Sequence, residues 1–236
     1  MKPCLKSLEN LEKKVVAIFD GDGTLWRFDG EFGSSWDIPK QVLSDKEREI
    51  WERRSKIFHS KFEERANFYE YFLKAQIKLL NGKEEIKNFS IPYIEGAKEI
   101  VNFFKEKGVE VFLISAGFYS VIKKAAEELK IKFISNEIEI KNGIYTKNTN
   151  SYVTPFNKNE IIKKLVNNTT FLILFFDIYD FSIINNNFNN ENIKILIYND
   201  SSSGEKEKAF SLYKEKKCDF IASNFFQAIK VIKDKI

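Results

Sequence analysis

The chain has 236 residues, 43% hydrophobic and 15% aromatic, enough apolar mass to bury a core in one large domain or in a domain with an insertion, and too much for a disordered chain. Its 38 basic and 34 acidic residues leave a formal charge of +4 with no block of five or six like charges, which argues against a nucleic-acid partner. No apolar run reaches transmembrane length and the N-terminus lacks a signal peptide's apolar stretch, so the expectation is a cytoplasmic protein without a membrane partner, monomeric or homodimeric. Cys4 and Cys218 lack CxxC spacing and read as free thiols, and the single histidine, His59, reads as a surface or packing residue.

In chain order, Val15–Phe19 is the first apolar run of strand length, and Val109–Ile114, Phe171–Phe176 and Ile193–Tyr198 follow it. Runs of this kind are strands buried on both faces, as in a parallel sheet. Between the first two, Ser44–Leu80 carries Lys, Glu and aromatic residues at helical spacing and ends at Asn81-Gly82, which predicts a helical insertion. Gly96–Lys107, closed by Gly108, reads as a helix, as do Tyr119–Leu129 and Asn159–Val166. Asn136–Thr146 alternates isoleucines around Asn142-Gly143, a hairpin signal. Asn185–Asn192 is a low-complexity loop. The alternation predicts an α/β fold, a doubly wound parallel sheet, with residues 1–29 and 92–236 as the core and 30–91 as a helical cap.

The sequence Asp20-Gly-Asp22-Gly-Thr24-Leu25 sets two carboxylates one residue apart directly after the first strand. A calcium loop is one reading, since Asp20, Asp22, Thr24 and Glu31 stand at positions one, three, five and twelve; it fails at position six, where Leu25 replaces the glycine of the sharp turn. Phosphoryl chemistry is the other. A carboxylate at the C-terminal edge of a central parallel strand can attack phosphorus and hold a hard cation such as Mg²⁺, which offsets the repulsion. The second carboxylate can protonate the leaving oxygen and then activate water. Gly21 and Gly23 let the backbone turn around a phosphate.

This motif resembles the first motif of haloacid dehalogenase superfamily phosphatases. The resemblance implies that Asp20 is the nucleophile, that Asp22 is the acid/base and offers its backbone carbonyl to Mg²⁺, and that Thr24 supports the turn. The implied second motif is Ser115, with Ala116 and Gly117 offering N–H groups to phosphoryl oxygens. Lys158 takes the place of the lysine that neutralises nucleophile and phosphate, with Lys163 and Lys164 as fallbacks. Asp177 and Asp180 stand for the acids that complete the metal site, although Phe176 replaces the usual glycine and their spacing is short. Asp200, after the run that ends at Tyr198, competes with them.

Ser115–Thr146, with Ser34–Trp36 and Leu79–Gly82, is similar to phosphoserine phosphatases in particular. Gln76 falls where those enzymes carry an arginine for the substrate carboxylate, so the substrate class implied is a small phosphorylated metabolite, with phosphoserine itself disfavoured by the missing cation. Arg53, Arg54 and Arg65 are the candidate replacement cations, and Glu31 is a candidate partner for a substrate amine. The competing expectations are a phosphotransferase of the same fold and a phosphate-binding or regulatory protein that has lost catalysis.

Overall fold

The computed structural model describes residues 14–29, 33–60, 66–150 and 153–233. Six strands form one parallel sheet: β1 (Val15–Phe19), β2 (Glu110–Ser115), β3 (Lys132–Ser135), β6 (Phe171–Phe176), β7 (Asn192–Ile197) and β8 (Phe220–Ala222). Their order across the sheet is β3-β2-β1-β6-β7-β8. The chain therefore winds one way from β1 to β3 and the other way from β6 to β8. The reversal lies between β1 and β6, paired from Val15↔Phe171 to Phe19↔Phe175, and such a switch point opens a crevice beyond the strand C-termini.

The two central strands are apolar because neither of their faces meets water. All six residues of β6 are buried, as are Val16 to Phe19 of β1. Phe19 stacks on Phe175 with ring centroids 4.3 Å apart, and Phe104 of α3 (Ala97–Glu106) and Phe225 of α8 (Phe225–Ile232) close over the pair. Each such ring contact adds about 0.5–1.5 kcal/mol beyond area burial. The cluster fixes the end of β1, so that the next residue, Asp20, is held by its N–H donating to the Phe175 carbonyl at 3.0 Å.

The remaining helices of the core are α4 (Tyr119–Leu129), α5 (Lys158–Leu165), α6 (Phe181–Ile184) and α7 (Ser203–Lys214). The segment after β1 forms a 3-10 helix (Ser35–Val42), α1 (Asp45–Ser60) and α2 (Ala66–Leu80). At the start of α1 the Glu47 carboxylate reaches back to Ser44, whose hydroxyl and N–H both donate to it, at 2.7 and 2.8 Å.

The hairpin β4 (Glu137–Lys141) and β5 (Ile144–Asn150) turns at Asn142 and Gly143, with φ of 52° and 75°. Two successive positive φ angles are what a two-residue type I′ turn demands, and Asn-Gly meets that demand at little steric penalty. The hairpin is bonded to the strip that follows α2. Gly82 N–H donates to the Tyr145 carbonyl, Tyr145 N–H to that of Lys83, and Glu85 N–H to that of Gly143. Among the described residues, no helix is long and apolar enough to cross a membrane.

Candidate active site

Four chain segments meet where the sheet reverses. Asp20 follows β1, Ser115 ends β2, Lys158 begins α5, and Asp177 and Asp180 follow β6. They line a cavity of about 660 Å³ together with Asp22, Gly23, Ala116 and Gly117, while Trp36 of the 3-10 helix, Ser55 of α1 and Tyr69 and Phe72 of α2 form a further wall.

Lys158 is the hub. Its buried ammonium donates to Asp20 Oδ1 and to Asp180 Oδ1, the latter at 2.5 Å. Burial alone would lower its pKa, but Asp180 and Asp20 outweigh that and hold it above the ordinary lysine range. Asp20, Asp177 and Asp180 each present a carboxylate oxygen, all within 4.8 Å of one another. Burial raises the pKa of Asp177, with Asp180 and Asp20 adding to it; for Asp180 burial is again foremost, with Asp20 next. Lys158 offsets this only in part.

The cluster fits a hard divalent cation. Asp180 Oδ2 is buried with no hydrogen-bond partner, a donor atom left over after Lys158 has taken the other oxygen. The donor set is all oxygen, as Mg²⁺ requires. Gly23, at φ +77°, leaves Asp177 its place, since a Cβ there would run into Asp177 Oδ2.

Asp22 is held apart from that cluster. Its Oδ1 accepts from Trp26 Nε1 at 2.8 Å and from Ser35 N–H at 2.6 Å, and its Oδ2 accepts from the Ser35 hydroxyl at 2.5 Å. Burial pushes its carboxyl up to about 6, helped by Asp20 and opposed by the Ser35 and Trp26 donors. Gly117 packs against it so closely that a Cβ would strike Asp22 Oδ2 and lie 2.6 Å from Ser35 Oγ. Ser115 is buried, and its Oγ accepts from Gly117 N–H at 3.2 Å.

Several expected residues stand elsewhere. Gly21 and Thr24 lie behind the cavity instead of on it. Gly21 is pressed between Trp26 and Ser115, whereas Thr24 is buried and its N–H donates to the Gly21 carbonyl at 3.1 Å, within the turn. Gln76, expected to meet substrate, is buried between α1 and α2, where its Nε2 donates to Ser55 Oγ at 3.1 Å and to the Trp51 carbonyl at 3.3 Å. Tyr69 and Phe72, nearer the start of α2, reach the cavity, and Ser55 closes it one layer before Gln76. Arg54 donates to the Ala75 carbonyl at 2.7 Å, and Arg53 is exposed. Asp200 is exposed and paired with Lys206 at 2.7 Å; the adjacency of β6 to β1 gives the position beside Asp20 to Asp177 instead. Cys218 is a buried free thiol. Cys4, Glu31, Arg65 and the side chain of His59 lie outside the described residues.

Two participants carried no sequence signal of their own. Ser35 was part of a similar Ser-Ser-Trp stretch, yet nothing in it said that the hydroxyl would meet Asp22. Arg27 lines the cavity, its Nη2 donating to the Gly23 carbonyl at 3.1 Å, in the field of Glu205 and Asp177.

Residues 17–168 match the profile of the haloacid dehalogenase-like hydrolases. A phosphoserine phosphatase of Archaeoglobus fulgidus is 30% identical over 145 residues, 58% of this chain and 38% of the relative, so the match spans well under half of that protein. A phosphoserine phosphatase of Methanocaldococcus jannaschii is 28% identical over 162 residues, 65% of this chain and 71% of the relative. Among solved structures, a substrate-bound phosphoserine phosphatase complex superposes with a TM-score of 0.62 at 22% identity, covering 94% of this chain and 99% of the other. A hydrolase from Salmonella enterica gives 0.67 at 15% identity, covering 98% and 75%. At these identities the structural likeness concerns the fold.

Proposed function

This chain belongs to the haloacid dehalogenase-like hydrolases, and from that premise we propose that it is a Mg²⁺-dependent phosphatase that hydrolyses a small phosphomonoester through an aspartyl-phosphate on Asp20. The observation that carries the reading is the buried Asp20–Lys158–Asp180 arrangement, with Asp177 beside it, lining one cavity. A non-catalytic phosphate binder would have no use for a second, separately held carboxyl at Asp22.

Asp20, Asp177 and Asp180 would hold the cation, with the backbone carbonyl of Asp22 as a further ligand, and when bound it neutralises phosphoryl charge and lowers repulsion on the approaching carboxylate. Lys158 holds Asp20 in place and adds positive charge on the same side. The Ala116 N–H and the Ser115 hydroxyl supply donors for the phosphoryl oxygens, and the Gly117 N–H, donating to Ser115 Oγ at 3.2 Å, turns that hydroxyl outwards. Asp20 attacks phosphorus and the ester P–O bond breaks. Asp22 gives its proton to the leaving oxygen, then takes one from the water that attacks the aspartyl-phosphate, which releases phosphate and restores Asp20.

That proton belongs on Oδ2. Oδ1 already accepts from two N–H groups, which can only donate, so a proton there would displace one of them. The relatives' name makes phosphoserine the first substrate to try. Among the described residues, however, the wall formed by the 3-10 helix, α1 and α2 presents aromatic rings and the Ser55 hydroxyl where a carboxylate would want a cation.

The test is phosphate release from a panel of small phosphomonoesters, phosphoserine included, with and without Mg²⁺, for the chain and its Asp20→Asn variant. Turnover that requires both Mg²⁺ and Asp20 is expected. Phosphate release unaffected by Asp20→Asn would refute the assignment of the nucleophile.

A further inference from the structure

We propose that Ser35, a residue of the cap and not of the core motifs, is a positioning residue for the general acid: it aims the Asp22 carboxyl, so that proton delivery to the leaving group depends on the cap being seated. The inference rests on the phosphatase reading above.

Asp22 has three hydrogen bonds among the described residues, and two come from Ser35. The backbone N–H of Ser35 donates to Oδ1 at 2.6 Å and its hydroxyl to Oδ2 at 2.5 Å, a two-point grip on both oxygens of one carboxyl. Trp26 Nε1 supplies the third bond, again to Oδ1. Among the described residues, the Ser35 hydroxyl is thus what sets Oδ2, the oxygen left to carry the mobile proton. The hydroxyl is itself oriented. Phe118 N–H donates to Ser35 Oγ at 2.8 Å, occupying a lone pair and directing the hydroxyl proton towards Oδ2. Ser35 is fully buried, so its own N–H and hydroxyl have no water to bond in place of Asp22, which opens on the cavity.

The neighbouring contacts show that this is a joint between cap and core. Trp36 Nε1 and the Tyr69 hydroxyl, both from the cap, donate to the Ala116 carbonyl, at 3.3 and 2.5 Å. Since the Ala116 carbonyl and the Gly117 N–H share one planar peptide, holding the first orients the second. The start of the 3-10 helix is in turn fixed by Ser34, whose hydroxyl accepts from Trp36 N–H. Displacing the cap would therefore remove two of the three bonds on Asp22 at once.

The step affected is the first. As the P–O bond to the leaving group breaks and the bond from Asp20 to phosphorus forms, the proton leaves Asp22 Oδ2 for the departing oxygen. A misaimed acid penalises poor leaving groups and spares good ones. This separates positioning from a general loss of structure, which lowers both alike.

The experiment compares kcat/KM for 4-nitrophenyl phosphate and phenyl phosphate, near-identical in shape, in the wild type and Ser35→Ala. The expected loss is about threefold or less for the nitrophenyl ester and roughly 10- to 100-fold for phenyl phosphate. In an Asp22→Asn background, Ser35→Ala is expected to change neither by more than about twofold, since its route of action is gone. If the alanine variant does not fold, Ser35→Cys, similar in size with a weak donor, carries the same expectation. Equal losses on both esters, or an undiminished effect without Asp22, would overturn this inference alone. Absence of Asp20-dependent turnover in the wild type would overturn the phosphatase reading and this inference with it.

Discussion

Replacing Asp22 with asparagine should make the protein more stable and nearly inactive. The Asp22 carboxyl is raised by burial, with Asp20 adding to it, from an ordinary 3.8 to about 6. The folded state therefore holds a proton that the unfolded chain gives up between those values. Stability from this group is fully present below about pH 4, is lost as pH rises through about 6, and does not return above. The interval corresponds to about 3 kcal/mol at most, since the carboxyl opens on the cavity and solvent there screens it. Asparagine fits the same bonds: its Oδ1 can accept from Trp26 and Ser35 N–H, and its Nδ2 can donate to Ser35 Oγ. Urea unfolding in EDTA should show the two proteins alike near pH 4, with the variant ahead by about 2–3 kcal/mol near pH 7.5. Turnover should fall about 10²- to 10⁴-fold. A stability difference that does not grow between pH 4 and 7 would refute the assignment of the strain to ionisation of this carboxyl.

Lys158→Met leaves buried carboxylates without their cation, and urea unfolding in EDTA should show a loss of about 3–5 kcal/mol, smaller at low pH where the raised acids of the cluster take up protons. Gly23→Ala puts a methyl group onto Asp177 at a left-handed backbone position; calorimetric titration should show Mg²⁺ affinity down at least about tenfold, with stability lower by about 1–3 kcal/mol. Asp200→Asn removes only an exposed pair with Lys206, so Mg²⁺ affinity and turnover should stay within about twofold. A tenfold loss of affinity there would move the metal site to the end of β7.

The central strands were legible because β1 and β6 are apolar on both faces and β2 and β7 hold runs of apolar residues broken only by Glu110, Ser115, Asn192 and Lys194. The edge strands were not. Lys132–Ser135 is half exposed and Phe220–Ala222 is three residues long, so neither carries a periodic signal. The start of α7 could have been read: Ser202 and Glu205 have capping-box spacing, and the Ser202 hydroxyl does accept from Glu205 N–H. The hairpin was visible in Asn142-Gly143, but its attachment to the strip after α2 depends on main-chain bonds that no side chain announces. In the site, Asp20 and Asp22 could be proposed from two carboxylates directly after a buried strand, whereas Ser115 and Lys158 came from the family resemblance, since a serine at a strand end and one lysine among many say little alone. Choosing Asp177 over Asp200 required knowing which strand lies beside β1. Gln76 shows the limit of aligning along a helix: it shares a face with Phe72, yet it lies one turn further from the catalytic edge, and α1 covers it.

The electrostatics of the cavity follow from placing acids at the switch point of a parallel sheet. Asp20, Asp177 and Asp180 are gathered by strands and loops whose apolar packing is fixed elsewhere, at Phe19, Phe175, Phe104 and Phe225. That rigid frame keeps the carboxylates from separating to relieve their repulsion. Lys158 compensates for part of it, and the unpartnered Asp180 Oδ2 marks where compensation is incomplete. A divalent cation would supply the remainder, so Mg²⁺ should raise the melting temperature of the wild type, and much less that of Asp177→Asn. Asp22 is treated differently. It stands outside the acid cluster, and burial with Asp20 raises its carboxyl to about 6 although the Trp26 and Ser35 donors favour the ionised form. One site can therefore hold a carboxylate paired with a lysine and, two residues on, a carboxyl whose proton affinity burial and Asp20 raise against the pull of the Ser35 and Trp26 donors.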